Sequence, residues 1–237
     1  MLHIEHLMVK FGGLTALQDF SLKMGIHEII GLVGPNGAGK TTLFNAISGL
    51  VKPSGGRVSF NSTDILKKPM YARARMGIGR TFQVPQPMSE LTVKENLLVS
   101  QRFGTGKVDG KKINEILAFL NLSRKAGYNA AMELSLSELR ALEVGKALAT
   151  NPRLLLLDEV LAGLEASEKR ILMGTLTDLH EKYGIGFLII EHDIETISSL
   201  CKRVCVLNFG ELIADGTPQE VFRNPTVVKS YIGSSHA

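Results

Sequence analysis

The hydrophobic pattern changes character along the chain. Residues 29–33, 154–157 and 187–190 are short, almost unbroken apolar runs, the pattern of strands buried on both faces. Between the last two, residues 167–182 carry apolar positions at helical spacing, which predicts an amphipathic helix. Buried strands alternating with helices predict a parallel sheet covered on both sides. The N-terminal section differs: residues 2–9, 18–24 and 56–60 alternate like half-exposed antiparallel strands with glycines at their turns. From about residue 84 to 149 strand signals fade, and 91–100, 111–122 and 137–150 all have helical spacing. Phe103-Gly104-Thr105-Gly106-Lys107, between the first two, reads as a loop. A mostly helical segment thus interrupts an α/β core that resumes at Pro152. Asn208-Phe209-Gly210-Glu211 predicts a hairpin turn, and short helices are expected at 219–222 and 227–232.

Composition narrows the classes. The 237 residues suit one α/β domain with a subdomain, and a net charge of +4 is too small to imply nucleic acid. Lys67-Lys68 and Lys111-Lys112 are doublets on a solvated surface. Cys201 and Cys205 have no neighbouring ligands to complete a metal site, so they are expected to be free thiols in a reducing compartment. The N-terminus lacks the apolar run of a signal peptide, and no apolar stretch approaches the roughly 20 residues of a membrane span. The expected location is the cytosol.

The strongest motif is Gly34-Pro35-Asn36-Gly37-Ala38-Gly39-Lys40-Thr41-Thr42, which matches G-x-x-x-x-G-K-[ST] between a buried strand and a helix. Its glycines let backbone N–H groups turn toward phosphate oxygens at a helix N-terminus. Lys40 can then reach the β- and γ-phosphates and Thr41 can ligate Mg²⁺. The second motif is Leu154-Leu155-Leu156-Leu157-Asp158-Glu159. A buried strand ending in Asp158 places a carboxylate where it can hold Mg²⁺, and Glu159 can act as base toward water.

With these motifs in this order the chain resembles the ABC ATPase family over essentially its whole length. The resemblance implies ATP and Mg²⁺ as cofactors. It also implies an α/β fold: a P-loop NTPase core with an N-terminal antiparallel β-subdomain and an inserted α-helical subdomain. The single domain 1–237 would then comprise an ATP-binding core, 1–83 and 150–237, and a helical subdomain, 84–149. By resemblance, Gln83 in Thr81-Phe82-Gln83 senses Mg²⁺ and water, His192 contacts the γ-phosphate, and Phe11 stacks on adenine. Leu134-Ser135-Leu136-Ser137-Glu138 matches the signature L-S-G-G-Q that faces the partner's ATP. Ser135 to Glu138 reads as a capping box, so the helix start and its dipole are expected to survive.

Three departures stand out. Ser137 replaces the glycine whose N–H faces the γ-phosphate across the dimer, adding a Cβ and a hydroxyl at a close approach. Val160 follows Glu159 where proline is usual, and Glu165 ends the next loop where Asp or Asn is usual. Within the family, Val9 to Leu14, Gly79-Arg80-Thr81-Phe82-Gln83, Leu91 to Asn96 and the tail Asn208 to Pro218 resemble the ATPase subunits of branched-chain amino acid importers. That implies a second ATPase subunit, identical or not, two transmembrane permeases and, indirectly, an extracytoplasmic solute-binding protein. No nucleic-acid partner is expected, and the chain would sit peripherally on the cytoplasmic face of the membrane. An ATPase of lipopolysaccharide export, or a nucleotide-binding regulator with weakened hydrolysis, is the alternative. A DNA-repair ATPase would carry a long coiled coil between its motifs, and no sustained heptads lie between Lys40 and Asp158.

Overall fold

In the N-terminal strands the inward positions skip a place, and paired bulges explain it. The structure is a computed structural model that describes residues 1–232. β1 (Leu2–Phe11) buries Leu2, Ile4, Leu7 and Val9, and β2 (Leu14–Met24) buries Leu17, Phe20, Leu22 and Met24. The extra residues fall at His6 and Asp19, with φ of 50° and 52°, and their register shifts there. The two side chains meet, His6 Nδ1 lying 2.6 Å from Asp19 Oδ1. This break in alternation is why the pattern began the second strand at 18, four residues after its true start.

The described chain divides into two compact units, residues 1–73 with 186 onward, and 74–185. In the first unit follow β3 (Ile29–Val33), α1 (Lys40–Ser48), β4 (Gly55–Phe60) and β5 (Thr63–Asp64). An antiparallel sheet runs β2-β1-β4-β5. α2 (Met70–Arg75) leads into the second unit, which holds β6 (Ile78–Arg80), α3 (Val93–Thr105), α4 (Gly110–Phe119), α5 (Leu136–Ala149), β7 (Leu154–Asp158) and α6 (Ala166–Tyr183). There β6 and β7 pair in parallel, and α3 and α4 pack on α5. All five residues of β7 are buried, as an apolar run covered on both faces requires.

The first unit resumes with β8 (Gly186–Ile190), α7 (Ile194–Leu200), β9 (Arg203–Asn208), β10 (Glu211–Gly216), α8 (Pro218–Arg223) and α9 (Pro225–Ile232). β3 lies between β8 and β9, parallel to both, and β10 returns antiparallel along β9 through the expected hairpin turn.

One expectation is overturned. Residues 103–105 belong to α3 rather than to a loop, and the helix ends at Gly106, whose φ is 78°. Gly104 is there for close packing, since a Cβ on it would lie 2.6 Å from the Thr150 side chain. A glycine inside a helical pattern can serve packing rather than a turn.

Cys201 and Cys205 are free and buried. Burial pushes the Cys201 thiol up to about 12 and raises Cys205 as well, so both are inert. Among the described residues no three His, Cys, Asp or Glu side chains form a metal cluster, and no helix is long and apolar enough to cross a membrane.

Candidate functional site

The glycine-rich loop is shaped by what presses on it from behind. A Cβ at Gly34, φ 147°, would lie 2.0 Å from the Leu207 carbonyl oxygen. At Gly39, φ 104°, one would lie 2.5 Å from the Ala16 carbonyl oxygen. β9 and β2 therefore crowd the loop so closely that only glycine fits at its two ends. The Ala38 carbonyl accepts the Gly210 N–H at 2.9 Å, so the β9–β10 turn braces the loop as well. Tyr231 of α9 adds another brace. Burial raises its hydroxyl pKa, and a hydrogen bond from the Gly34 backbone opposes that shift.

Lys40 begins α1 and is 6% exposed. Its ammonium donates to the carbonyls of Gly34 and Pro35 at 2.7 and 3.0 Å. A buried cation held by two carbonyls is satisfied, and a phosphate can take their place. Asn36, Gly37 and Thr41 are exposed and Thr42 is half-buried, so the outer face of the loop is open.

Phe11 and His192 share this unit. Phe11 ends β1 opposite Leu14 and is 49% exposed; β2 then passes Ala16 against Gly39, which puts the aromatic hairpin beside the loop. β8 runs parallel to β3 with Ile190 opposite Leu32. The exposed His192 follows the end of β8 by two residues, just before Asp193 caps α7.

The second unit gathers Gln83, Asp158 and Glu159 at the end of β7. The Asp158 N–H donates to the Thr81 hydroxyl at 3.0 Å, fixing the strand end. The Asp158 carboxylate, 2% exposed, lies 3.3 Å from the Arg80 guanidinium, itself 8% exposed. Burial lowers the Arg80 pKa while Asp158 works the other way, and the guanidinium also lies 5.0 Å from the Phe82 ring centre. Glu159 has φ 51°, a strained conformation for a residue with a side chain. Its carboxylate accepts the Gln83 amide N–H at 2.7 Å.

The signature segment forms the capping box its sequence predicts. The Ser135 hydroxyl accepts the Glu138 N–H at 3.4 Å, and Glu138 accepts the Ser135 N–H at 2.8 Å. Burial works against ionisation of Glu138, but Lys125 and Ser135 outweigh it and hold the carboxyl below its usual range. Ser137 turns its hydroxyl to within 3.1 Å of that of Ser135. Val160 is fully buried, and Glu165 sits at the N-cap of α6, its N–H donating to Glu168 at 3.2 Å.

Sequence reasoning missed Arg80, which it quoted only as part of a resemblance, and Arg140, Glu143 and Lys146 on α5. The latter had a signal: three charges at i, i+3 and i+6 on a helix whose other face is apolar.

The arrangement defines a P-loop ATPase of the ABC type. The family described as ABC transporter matches residues 17–162, and that described as branched-chain amino acid ATP-binding cassette transporter matches 211–237. The chain is 36% identical to the high-affinity branched-chain amino acid transport ATP-binding protein LivG of Salmonella typhimurium, covering 99% of this chain and 98% of that protein. It is similar, with TM-score 0.88 and 34% identity over 98% of each chain, to the ADP conformation of MJ1267, an ATP-binding cassette of an ABC transporter. A dimeric post-hydrolysis state of the cassette MJ0796, bound to ADP and Pi, matches with TM-score 0.83 and 25% identity over 92% of this chain and 99% of that one. The chain therefore belongs to the ABC transporter family, as a nucleotide-binding, ATP-hydrolysing subunit. With amino acid transport subunits as relatives, neither lipopolysaccharide export nor a purely regulatory role is favoured.

Proposed function

We propose that this chain powers the import of branched-chain amino acids. It would act as one of two ATPase subunits on the cytoplasmic face of a permease pair served by an extracytoplasmic solute-binding protein. Its end-to-end likeness to LivG and the match of its tail support the solute class. The observation that carries the catalytic reading is the 2.7 Å bond from Gln83 to Glu159. It holds a half-buried carboxylate in a strained turn, aimed by a second loop, as a base for water needs to be.

In this reading the N–H groups of residues 34–42 and the Lys40 ammonium grip the β- and γ-phosphates, Lys40 releasing the two carbonyls as it does so. Phe11 stacks on adenine. Thr41, Gln83 and Asp158 would supply the hard oxygen donors that Mg²⁺ prefers, and the ion would neutralise phosphate charge there. The fit is supported at Asp158, a buried carboxylate already paired with a cation, Arg80. Glu159 orients or deprotonates the attacking water, and His192 stabilises the γ-phosphoryl group. Ser135, Ser137 and Glu138 of one subunit face the nucleotide of the other in a head-to-tail pair, a reading supported by the dimeric MJ0796 cassette. The helical segment 84–149, set between core segments 1–83 and 150–237, passes closure of the pair to the permease through Gln83.

Liposomes carrying the assembled transporter, with the binding protein outside, are expected to take up leucine, isoleucine or valine only when ATP is inside. Transport of none of the three, while another solute stimulates hydrolysis, overturns the substrate assignment.

A further inference from the structure

The backbone of residues 83–86 lies outside any strand or helix, so its polar groups need other partners. α5 supplies them. Arg140, 7% exposed, donates from Nη1 to the Gln83 carbonyl. Glu143, 3% exposed, accepts the Gln86 N–H at 3.0 Å. Lys146 donates to the Gln86 carbonyl and to Glu143, each at 2.6 Å. Spaced i, i+3 and i+6, the three charges lie along one stripe of the helix.

Arg140 reaches further than the other two. Its Nη2 donates to the Ala162 carbonyl at 3.3 Å, in the turn where the Ala162 N–H donates back to the Glu159 carbonyl at 3.2 Å. One planar guanidinium thus spans two loops, the one carrying Gln83 and the one carrying Glu159, whose side chains are joined at 2.7 Å. Five residues before Arg140 on the same helix stands Ser135, the N-cap. The helix is a stiff rod at this length, so a displacement of its N-terminus is delivered to both carbonyls together.

We infer that Arg140 is a positioning residue that sets the Gln83–Glu159 pair and transmits to it the position of the signature helix. This rests on Glu159 being the base proposed above. Arg140 touches no reacting atom; it acts through the two loops. Lysine is a poor substitute, because Arg140 uses two separate nitrogens of a rigid plane and an ammonium offers only one point. Glu143 and Lys146 hold only the Gln86 end and serve as internal controls.

The test compares Arg140→Met, Arg140→Lys and Lys146→Met with the unaltered chain. Amide hydrogen exchange on the purified subunit measures the joint without any reaction. Both Arg140 variants are expected to speed exchange in 83–86 and 159–163 together, whereas Lys146→Met affects 83–86 alone. In the assembled transporter kcat is expected to fall about tenfold for Arg140→Met, the scale of one charged hydrogen bond, with KM for ATP unchanged. A lower melting temperature with kcat intact would mean a structural role only, and unchanged exchange in 159–163 would remove the joint; either overturns the inference. Glu159→Gln is run beside them. If it abolishes turnover while Arg140→Met loosens both loops and spares kcat, the inference fails and the catalytic reading stands. If Glu159→Gln itself spares turnover, the catalytic reading fails and takes the positioning role with it, while exchange still reports whether Arg140 joins the loops.

Discussion

The two halves of the candidate chemistry are built in different ways. Residues 34–42 form a cradle from contiguous chain: glycines, one lysine and the start of α1, braced by backbone contacts from β2 and β9. The cluster of Gln83, Asp158 and Glu159 is built from side chains far apart in sequence, held by Arg80, Thr81 and Arg140. A site made of backbone is fixed by local geometry and tolerates little change in its glycines. A site made of side chains depends on its supports, and its position can be adjusted by moving a helix. The first arrangement suits binding, and the second suits a step that must wait for a partner.

The most severe break falls on the cradle. Lys40→Ala removes the buried ammonium that spans Gly34 and Pro35, the one lysine in residues 34–42. Nucleotide binding is expected to be lost or nearly so, as measured by equilibrium titration of ATP with Mg²⁺. Unchanged affinity would dismiss the cradle as the phosphate site. Glu159→Gln attacks the other half, keeping size and hydrogen bonding to Gln83 while removing the proposed base. ATP should still bind, hydrolysis should fall by roughly two decades or more, and sedimentation should reveal more ATP-dependent dimer. Hydrolysis within a few-fold of the unaltered protein would strip Glu159 of its role.

A milder break sharpens the point about supports. Arg80→Met takes from the buried Asp158 carboxylate the guanidinium that lies 3.3 Å away, which costs about 3 kcal/mol. For a chain of this size that lowers the melting temperature by roughly 6–12 °C. Adding Asp158→Asn should recover part of the loss, because the buried charge that Arg80 faced is then gone. A melting temperature within a degree or so of the original for Arg80→Met alone would mean that the pair contributes nothing to folding.

The same contrast explains what could be read from the sequence. The strands at 29–33 and 187–190, the phosphate loop and the Asp158-Glu159 pair are local signals: each is a run of residues whose order carries its meaning. The capping box at Ser135 was legible for the same reason. Gly104 was misread because its reason to be glycine is Thr150, 46 positions away. The bulges at His6 and Asp19 were invisible because each depends on the register of the other strand. Arg140 was passed over in the sequence, because its two partners are the carbonyls of Gln83 and Ala162, 57 and 22 positions away.

The smallest expected effect tests the altered signature, Ser135 to Glu138. In the proposed head-to-tail pair the N–H of residue 137 would face the partner's γ-phosphate, and Ser137 keeps that N–H. What it changes is the neighbourhood: a Cβ at the approach, and a hydroxyl 3.1 Å from that of Ser135, which already serves the Glu138 N–H. Either hydroxyl can donate in that pair; with Ser135 as the donor its proton is less available to phosphate, by a fraction of one charge-assisted hydrogen bond, itself worth ~1.5–3 kcal/mol. Ser137→Gly should therefore raise turnover by up to about tenfold and strengthen ATP-dependent dimerisation. ATP affinity of the monomer should not change. Glycine at the second position of α5 costs at most about 1 kcal/mol in helix stability, too little to mask the gain at a helix start already capped by Ser135 and Glu138. Ser137→Ala separates the two causes, since it removes the hydroxyl and keeps the Cβ. A gain from both variants blames the bond to Ser135, a gain from glycine alone blames the Cβ, and no gain from either means that the signature of this chain works as it stands.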